Sequence, residues 1–255
     1  MDFRWADMKL MFPYLILTLS SFSSFAKDKM LTYSYWSEAG PPFVFLEGED
    51  FKKVGGGIVK DLADLISNRL GVSSHFVNIP VQRTNLQLIS GAVDLNCITN
   101  PIWKESPDDF YWSPVLFKGS DRFLVKPSKM HNLVSFEDLK GKTLGVYKGY
   151  TYHPKIMEMI ASADVSTVKL TNLDHGIKLL LLDRIDTLID FDILLNYKIK
   201  REYPDTLVLA DLYADSYELF CAYSKKITTD KIKLDKVFQD LVSDGEIAKL
   251  LNRYH

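Results

Sequence analysis

The sequence has few cysteines, no excess of basic residues and no long apolar run. Its 2 cysteines are too few for a disulfide-based scaffold or a cysteine-rich zinc site. The 31 Lys and Arg residues are balanced by 33 Asp and Glu residues, a net charge of -2 that is not typical of a nucleic-acid binder. No apolar run reaches the roughly 18 residues that a membrane span requires. With 47% hydrophobic and 25% charged residues, the composition indicates a globular protein.

The motifs of common hydrolases and nucleotide-binding enzymes are also missing. The sequence contains no HExxH, no GxSxG and no P-loop, and its 5 histidines are scattered. The glycines at 55–57 are not followed by the Lys-Ser/Thr pair of a phosphate-binding loop, so we interpret them as the turn that leads into a helix. We therefore expect no catalytic residue, no metal ligand and no cofactor.

Residues 1–26 have the layout of a secretory signal peptide. A short apolar segment at 10–18 is followed by small residues, and Ser24 and Ala26 occupy the -3 and -1 positions of a cleavage site. A start at Met8 would give a cleaner signal, and an N-terminal membrane anchor is the alternative interpretation. Cleavage would place the mature protein in the periplasm, where disulfides persist.

Strand-like and helix-like segments alternate along the rest of the chain. The first half is predicted to contain strands at 31–36, 74–79 and 93–98, a helix at 58–70, and a short helix that starts at the capping box Thr84-x-x-Gln87. The pattern then restarts, with strands at 122–126, 143–147, 167–170, 184–190, 206–210 and 217–224, and terminal helices at 230–243 and 245–253. Thr171-x-x-Asp174 resembles the cap of a further helix that reaches Leu182. This order predicts mostly parallel sheets covered by helices, in two α/β lobes.

Several ordered segments of the chain resemble a known family. The strongest is SFEDLKGKTLGVYKGYTY, and the others are PPFVF, GGGIVKDLADLISNRLG, LISGAVDL, FYWSPVL, LLLDRIDTLIDFD and DGEIAKLLNRY. Together they resemble the periplasmic solute-binding proteins of ABC transporters, of the amino-acid-binding type called family 3. The similarity covers nearly all of residues 31–255.

The resemblance implies an α/β, periplasmic-binding-protein-like fold, with two lobes joined by a hinge and a ligand cleft between them. It implies a first lobe made of residues 27–119 and 213–255 and a second lobe made of residues 120–212. The chain is expected to cross between the lobes near 119–121 and 211–216. The ends of parallel strands are also where open α/β sheets bind ligands.

The function implied is capture of a small polar solute, an amino acid or a related metabolite, and its delivery to the permease of an ABC transporter. We expect a monomer in the periplasm that binds no nucleic acid and catalyses no reaction. One alternative is a ligand-sensing partner of a membrane receptor or kinase. Another is a cyclic-acid dehydratase-like enzyme on the same fold, with Glu38 or Asp190 as its acid or base.

Two candidate ligand contacts in the first lobe follow from position alone. Phe43 follows two prolines after the first strand and would offer a rigid ring to a ligand, unless it packs in the core. Arg83 is predicted in the loop after the second strand, where its guanidinium could grip a carboxylate, unless it forms a salt bridge elsewhere.

The sequence departs from the family at the arginine that binds the ligand carboxylate. The matching position is Ser106. Either Lys104, Arg83 or Arg122 replaces that cation, or the ligand has no α-carboxylate, because a buried carboxylate without a cation is costly. Trp103 replaces a small hydroxyl residue and is expected to form an aromatic wall.

The second lobe supplies the remaining candidates. Tyr150 and Thr151 precede a helix whose free N–H groups would attract an anion. The family's amine-binding aspartate aligns with Phe191, and we choose Asp190 beside it, at the end of its strand. A cap of the following helix is the alternative role of Asp190.

The two cysteines, Cys97 and Cys221, both lie on strands assigned to the first lobe. A disulfide between them requires that the two strands be neighbours. Two free thiols are the alternative.

Overall fold

The structure is a computed structural model that describes residues 30–49 and 53–254. The predicted signal peptide at residues 1–26 lies outside the described residues. None of the helices in the two described ranges combines the length and the apolar character that crossing a membrane requires.

Strands and helices alternate through most of the described chain. The strands are β1 (Met30–Tyr35), β2 (Phe45–Glu47), β3 (Lys53–Gly56), β4 (Ser73–Asn78), β5 (Leu95–Thr99), β6 (Phe110–Trp112), β7 (Phe117–Val125), β8 (Thr143–Tyr147), β9 (Ser166–Leu170), β10 (Thr187–Phe191) and β11 (Val208–Ser224). The helices are α1 (Ile58–Leu70), α2 (Val81–Ser90), α3 (Pro154–Ala161), α4 (Leu173–Leu181), α5 (Asp192–Glu202), α6 (Lys231–Ser243) and α7 (Glu246–Asn252).

The main sheet consists of two groups of parallel strands joined by an antiparallel pair. The strand order is β4-β1-β5-β11-β7-β10-β8-β9, and β6 pairs separately with β11. β1 is parallel to β4 and β5, and β8 is parallel to β9 and β10. We call the part around β1, β4 and β5 the first half and the part around β8, β9 and β10 the second half. The C-terminal helices α6 and α7 return to pack against α1 in the first half.

The region expected to cross between the lobes is a continuous strand. The sequence predicted separate strands at 206–210 and 217–224, and this was wrong, because β11 runs from Val208 to Ser224 without interruption. It pairs with β7 from Leu219↔Phe117 to Val208↔Val125, with register shifts around Tyr213. Among the intervening residues, Tyr213, Asp215 and Ser216 pair with β7, which a local pattern of polar residues does not reveal.

The first helix was predicted correctly, and its start depends on a glycine. Gly57 has φ of 103°, and a Cβ there would overlap with the carbonyl of Phe43. The close approach lets the Ile58 N–H donate to the Pro42 carbonyl and the Val59 N–H donate to the Phe43 carbonyl. The glycine segment therefore leads into α1, as the sequence suggested.

Two predicted caps were wrong. α2 begins at Val81 and not after Thr84, and Thr84 is buried within the helix with its hydroxyl donating to the Pro80 carbonyl at 3.4 Å. At α4 the cap is Asn172 and not Thr171, because the Asn172 side chain accepts the His175 N–H at 2.8 Å. α2 therefore starts earlier than the motif at Thr84 indicated, and α4 starts one residue later than the motif at Thr171 indicated.

The two cysteines form a disulfide. Cys221 in β11 lies directly opposite Cys97 in β5, on adjacent antiparallel strands. Their sequence separation of 124 residues means that the bond encloses the whole second half of the sheet. It fixes the returning strand β11 to the first half.

Replacing both cysteines, as Cys97→Ala/Cys221→Ala, is expected to lower the free energy of unfolding by about 2–5 kcal/mol, because a long enclosed loop regains its entropy in the unfolded chain. Urea unfolding of the oxidised protein and the double variant measures this. Thiol labelling in denaturant without reductant provides the control. Two labelled cysteines in the oxidised protein would contradict the assignment.

Candidate functional site

Several side chains from both halves of the sheet meet where the parallel strands end. The carboxyl ends of β1 and β5 belong to the first half, and those of β8, β9 and β10 belong to the second. A cavity of about 510 Å³ opens there between Glu38, after β1, and the segment from Thr171 to Asp174, after β9. We call this space the cleft. It lies where open α/β sheets carry ligands.

Four aromatic rings form a continuous row beside the joining strands. Phe43 stacks on Phe191 with ring centroids 5.5 Å apart, and Phe191 stacks on Tyr217 at 5.9 Å. Trp103 meets Tyr217 edge to face at 5.0 Å. Phe43 and Trp103 come from the first half, Phe191 from the second, and Tyr217 from β11. We call these four residues the aromatic row; it connects the two halves.

Glycine at position 119 makes room for the central ring of this row. Gly119 lies opposite Tyr217 on the paired strands β7 and β11. A Cβ on Gly119 would overlap with the ring of Phe191. The side chain of Phe191 can therefore lie directly on the backbone of the joining strands.

Asp190, at the end of β10, is a carboxylate held by two donors. The Tyr147 hydroxyl donates to its Oδ2 at 2.7 Å, and the Phe191 N–H donates to its Oδ1 at 2.7 Å. Burial raises the pKa of Asp190 to about 6, although both hydrogen bonds act in the opposite direction. The alternative role as a helix cap is not seen, since the Asp190 side chain bonds to Tyr147 and to its own neighbour.

Asp121, on β7, is a second carboxylate in the same surroundings. It accepts a hydrogen bond from the Tyr217 hydroxyl. Burial raises the pKa of Asp121 to about 6, and the nearby carboxylates of Asp215 and Asp192 raise it further. Burial and Asp121 together raise the pKa of Tyr217, so the phenol keeps its proton and remains a donor.

A third carboxylate, Asp192, lies at the first residue of α5. Its Oδ2 accepts a hydrogen bond from the Ser120 hydroxyl at 2.6 Å, and its Oδ1 accepts the Ile193 N–H at 2.8 Å. Its charge contributes to the raised pKa values of both Asp121 and Tyr217. We refer to Asp121, Asp190 and Asp192 as the carboxylate cluster.

Three tyrosines border the carboxylate cluster: Tyr147 is the last residue of β8, and Tyr150 and Tyr152 follow it. Tyr150 lies 5.2 Å from Tyr147 and 6.2 Å from Tyr152 between ring centroids. The Tyr147 N–H donates to the Tyr152 hydroxyl oxygen at 2.7 Å. Burial, with a smaller contribution from Asp190, raises the pKa of Tyr150. Tyr150 is nevertheless 46% exposed, so its ring is accessible to solvent.

The basic residues proposed from the sequence point elsewhere. The Lys104 ammonium donates to Asn85 Oδ1 at 2.9 Å and lies 6.0 Å from the Phe110 ring centroid. Burial lowers the pKa of Lys104 to about 8. The Arg122 guanidinium donates to the Ala210 carbonyl at 2.6 Å.

Neither Arg122 nor Arg83 forms an ion pair with the carboxylate cluster, although Arg122 lies directly opposite Asp190 on the paired strands β7 and β10. The Arg122 guanidinium lies 3.7 Å from the Tyr213 ring centroid, and its Nε is buried without a hydrogen-bond partner. Arg83 lies within α2 and not in a loop as predicted, because that helix starts at Val81. It is exposed, and within the described ranges its side chain makes no hydrogen bond or ion pair.

Thr151 and Ser106 are both exposed. Thr151 precedes α3 by a short extended segment, and the first turn of α3 is capped by His153, whose Nδ1 accepts the Lys155 N–H at 3.2 Å. One of the free N–H groups expected at the start of α3, beside Thr151, is therefore already hydrogen-bonded within the protein. Ser106 precedes the turn at 107–109 and carries no charge.

The structure thus brings together Phe43, Trp103, Tyr150 and Asp190 from the predicted set, and it separates Arg83 and Lys104 from them. Phe43 is buried in the hydrophobic core, which was its alternative role. Sequence reasoning missed Tyr147, Asp121, Asp192 and Tyr217. Tyr147 could have been found as the last residue of a predicted parallel strand. Asp121 and Tyr217 depend on the pairing of two segments far apart in sequence, for which no local signal exists.

Comparisons with known proteins agree with this architecture. The family described as bacterial extracellular solute-binding proteins, family 3, matches residues 35–255. The L-glutamate/L-aspartate-binding protein of Pseudomonas aeruginosa is 24% identical over 226 residues, which are 85% of this chain and 74% of that protein.

Two solved structures are similar in fold. An ancestral arginine-binding protein bound to arginine has a TM-score of 0.69 and 23% identity, covering 88% of this chain and 97% of that one. The GluR0 ligand-binding core in complex with L-glutamate has a TM-score of 0.73 and 15% identity, covering 90% and 99%. The predicted α/β, two-lobed fold is confirmed. The chain belongs to the bacterial extracellular solute-binding proteins, family 3.

Proposed function

We propose that this chain is a periplasmic receptor that captures a small amine-bearing solute, an amino acid or a related metabolite, and delivers it to the permease of an ABC transporter. Membership of the family supports the class of function. The relatives named above bind L-glutamate, L-aspartate or arginine, according to their names, and this supports a ligand that carries an ammonium group. We propose lobes made of residues 27–119 with 213–255 and of residues 120–212, acting as a monomer.

The observation that carries the proposal is the setting of Asp190. Its carboxylate lies at the carboxyl end of β10, is held in place by Tyr147, and has no ion-pair partner among the described residues. A charged group that is removed from water gains most from a partner of opposite charge. An ammonium group of a solute would supply that partner.

The same surroundings support binding rather than catalysis. The tyrosines bonded to Asp190 and Asp121 have raised pKa values and keep their protons, so they hold the carboxylates in place as donors. The aromatic row offers ring faces to the body of a solute. We propose that affinity comes from burial, from ring contacts and from charge-assisted hydrogen bonds, without a covalent step.

Asp190→Asn is expected to weaken binding of the solute by roughly 30-fold or more, because a buried charge pair costs about 2–5 kcal/mol when one partner loses its charge. Asparagine still offers an oxygen to Tyr147, so the fold is kept. The measurement is titration calorimetry with the tightest binder found in a thermal-shift panel of amino acids and amines.

Asp186→Asn is the matched control. Asp186 lies just before the same strand and accepts the Thr143 N–H at 2.8 Å, but it is exposed and outside the cleft. The control should bind as the unmodified protein does. Equal affinity of Asp190→Asn and Asp186→Asn would contradict the role of Asp190.

The ligand-free protein is expected to lose stability as the pH rises from about 4 to about 6. The pKa values of Asp121 and Asp190 are raised to about 6 in the folded chain, against 3.8 for an unperturbed group. In this window the folded state binds more protons than the unfolded state, and stability therefore falls with increasing pH. By pH 7.5 both carboxylates are charged and the destabilisation is complete.

Urea unfolding of ligand-free protein at pH 4.5 and pH 7.5 tests this pH dependence. The Asp190→Asn variant should be more stable than the unmodified protein at pH 7.5, and the difference should shrink towards pH 4.5. A variant that is less stable than the unmodified protein by the same amount at both pH values would contradict the expectation.

A further inference from the structure

Among the described residues, the charged side chains that line the cavity or form the carboxylate cluster are acidic, and one of those at the cavity, Asp174, is paired with Lys198 at 2.7 Å. Asp121, Asp190 and Asp192 form the carboxylate cluster, and Glu38 lines the cavity at the rim. None of the four forms an ion pair within the described ranges. Asp121 and Asp190 have pKa values raised to about 6 by burial, so both carry negative charge at pH 7.5 that no ion pair among the described residues neutralises.

The cations that could receive a ligand carboxylate are directed away from this cluster. Trp103 and Lys104 are adjacent in sequence, but Trp103 contacts Tyr217 while the Lys104 ammonium bonds to Asn85 on α2. The Arg122 guanidinium is bonded to the Ala210 carbonyl. A carboxylate bound among the acidic groups would therefore meet like charges without a compensating cation, which is unfavourable.

The rings around the cluster favour a positive charge. Phe43, Phe191, Tyr217 and Trp103 form the aromatic row on one side, and Tyr147 and Tyr150 lie on the other. The face of an aromatic ring carries partial negative charge and attracts ammonium and guanidinium groups. Tyr217 and Tyr147 also connect the rings to the carboxylates, since each donates its hydroxyl proton to one of them.

A metal cation fits this site less well than an organic one. Among the described residues, no group of three or more His, Cys, Asp or Glu side chains is arranged to hold a metal ion. Hydrocarbon ring faces are also poor ligands for the hard divalent cations that carboxylates prefer. An amine with an apolar body can contact the rings and the carboxylates together.

We propose that the solute bound in this cleft is an organic ammonium or guanidinium cation that carries no carboxylate, and that the cleft selects it over the corresponding α-amino acid. This inference rests on the proposed function, since it names the class of solute for the same cleft. Asp190 and Asp121 bind the cationic group or groups, and the aromatic row contacts the carbon chain or ring.

Matched pairs of an amino acid and its decarboxylated amine test the proposal. The pairs are L-arginine and agmatine, L-lysine and cadaverine, L-ornithine and putrescine, and L-tyrosine and tyramine, each titrated calorimetrically at pH 7.5. We expect at least one amine to bind with a dissociation constant at least about tenfold lower than that of its parent amino acid. An amino acid that binds as tightly as its amine, or more tightly, overturns the inference and leaves the proposed function standing. Failure of every compound to bind overturns both.

The variant Asp121→Asn tests whether Asp121 binds the cationic group of the solute. Asparagine keeps an acceptor for Tyr217, and we expect affinity for the preferred amine to fall at least about tenfold while Asp186→Asn leaves it unchanged. The thermal unfolding midpoint of the ligand-free variant serves as the check on folding. Unchanged amine affinity in a folded Asp121→Asn variant overturns the assignment of Asp121 to the cationic group.

Discussion

The burial of Asp121 and Asp190 without a cationic partner in the described chain is the constraint on which the site depends. Each carboxylate is partly compensated by a tyrosine hydroxyl, yet the pKa values of both remain raised to about 6. In the ligand-free protein, keeping these groups ionised lowers the free energy of unfolding. A bound cation would remove that cost, and the free energy regained would strengthen binding of the cation.

The sheet topology explains why these groups meet. Asp190 lies at the end of a parallel strand, where the chain must turn into α5, whereas Asp121 and Tyr217 lie on the antiparallel strands β7 and β11 that join the two halves. A solute bound by all three would touch the second half and the joining strands at once. The disulfide between Cys97 and Cys221 joins β11 covalently to β5, so the joining strand is held in place on the first half.

Local patterns in the sequence predicted the elements but not the pairing that completes the site. The apolar periodicity and glycine turn gave α1 its correct bounds, and the strand-end argument selected Asp190. The capping pattern at Thr84 was misleading because Pro80 starts α2 earlier, and this moved Arg83 onto an exposed helix. Asp121 could not be predicted, because its partner Tyr217 is brought to it by a ladder between distant segments.

The most direct test of the central claim is the exchange of protons when the solute binds. The tightest amine from the matched pairs would be titrated calorimetrically in buffers of different ionisation enthalpy, at pH 6 and at pH 8. Because a bound cation lowers the raised pKa values of Asp121 and Asp190, binding is expected to release protons at pH 6 and none at pH 8. Proton uptake, or no proton exchange, at pH 6 would contradict the account.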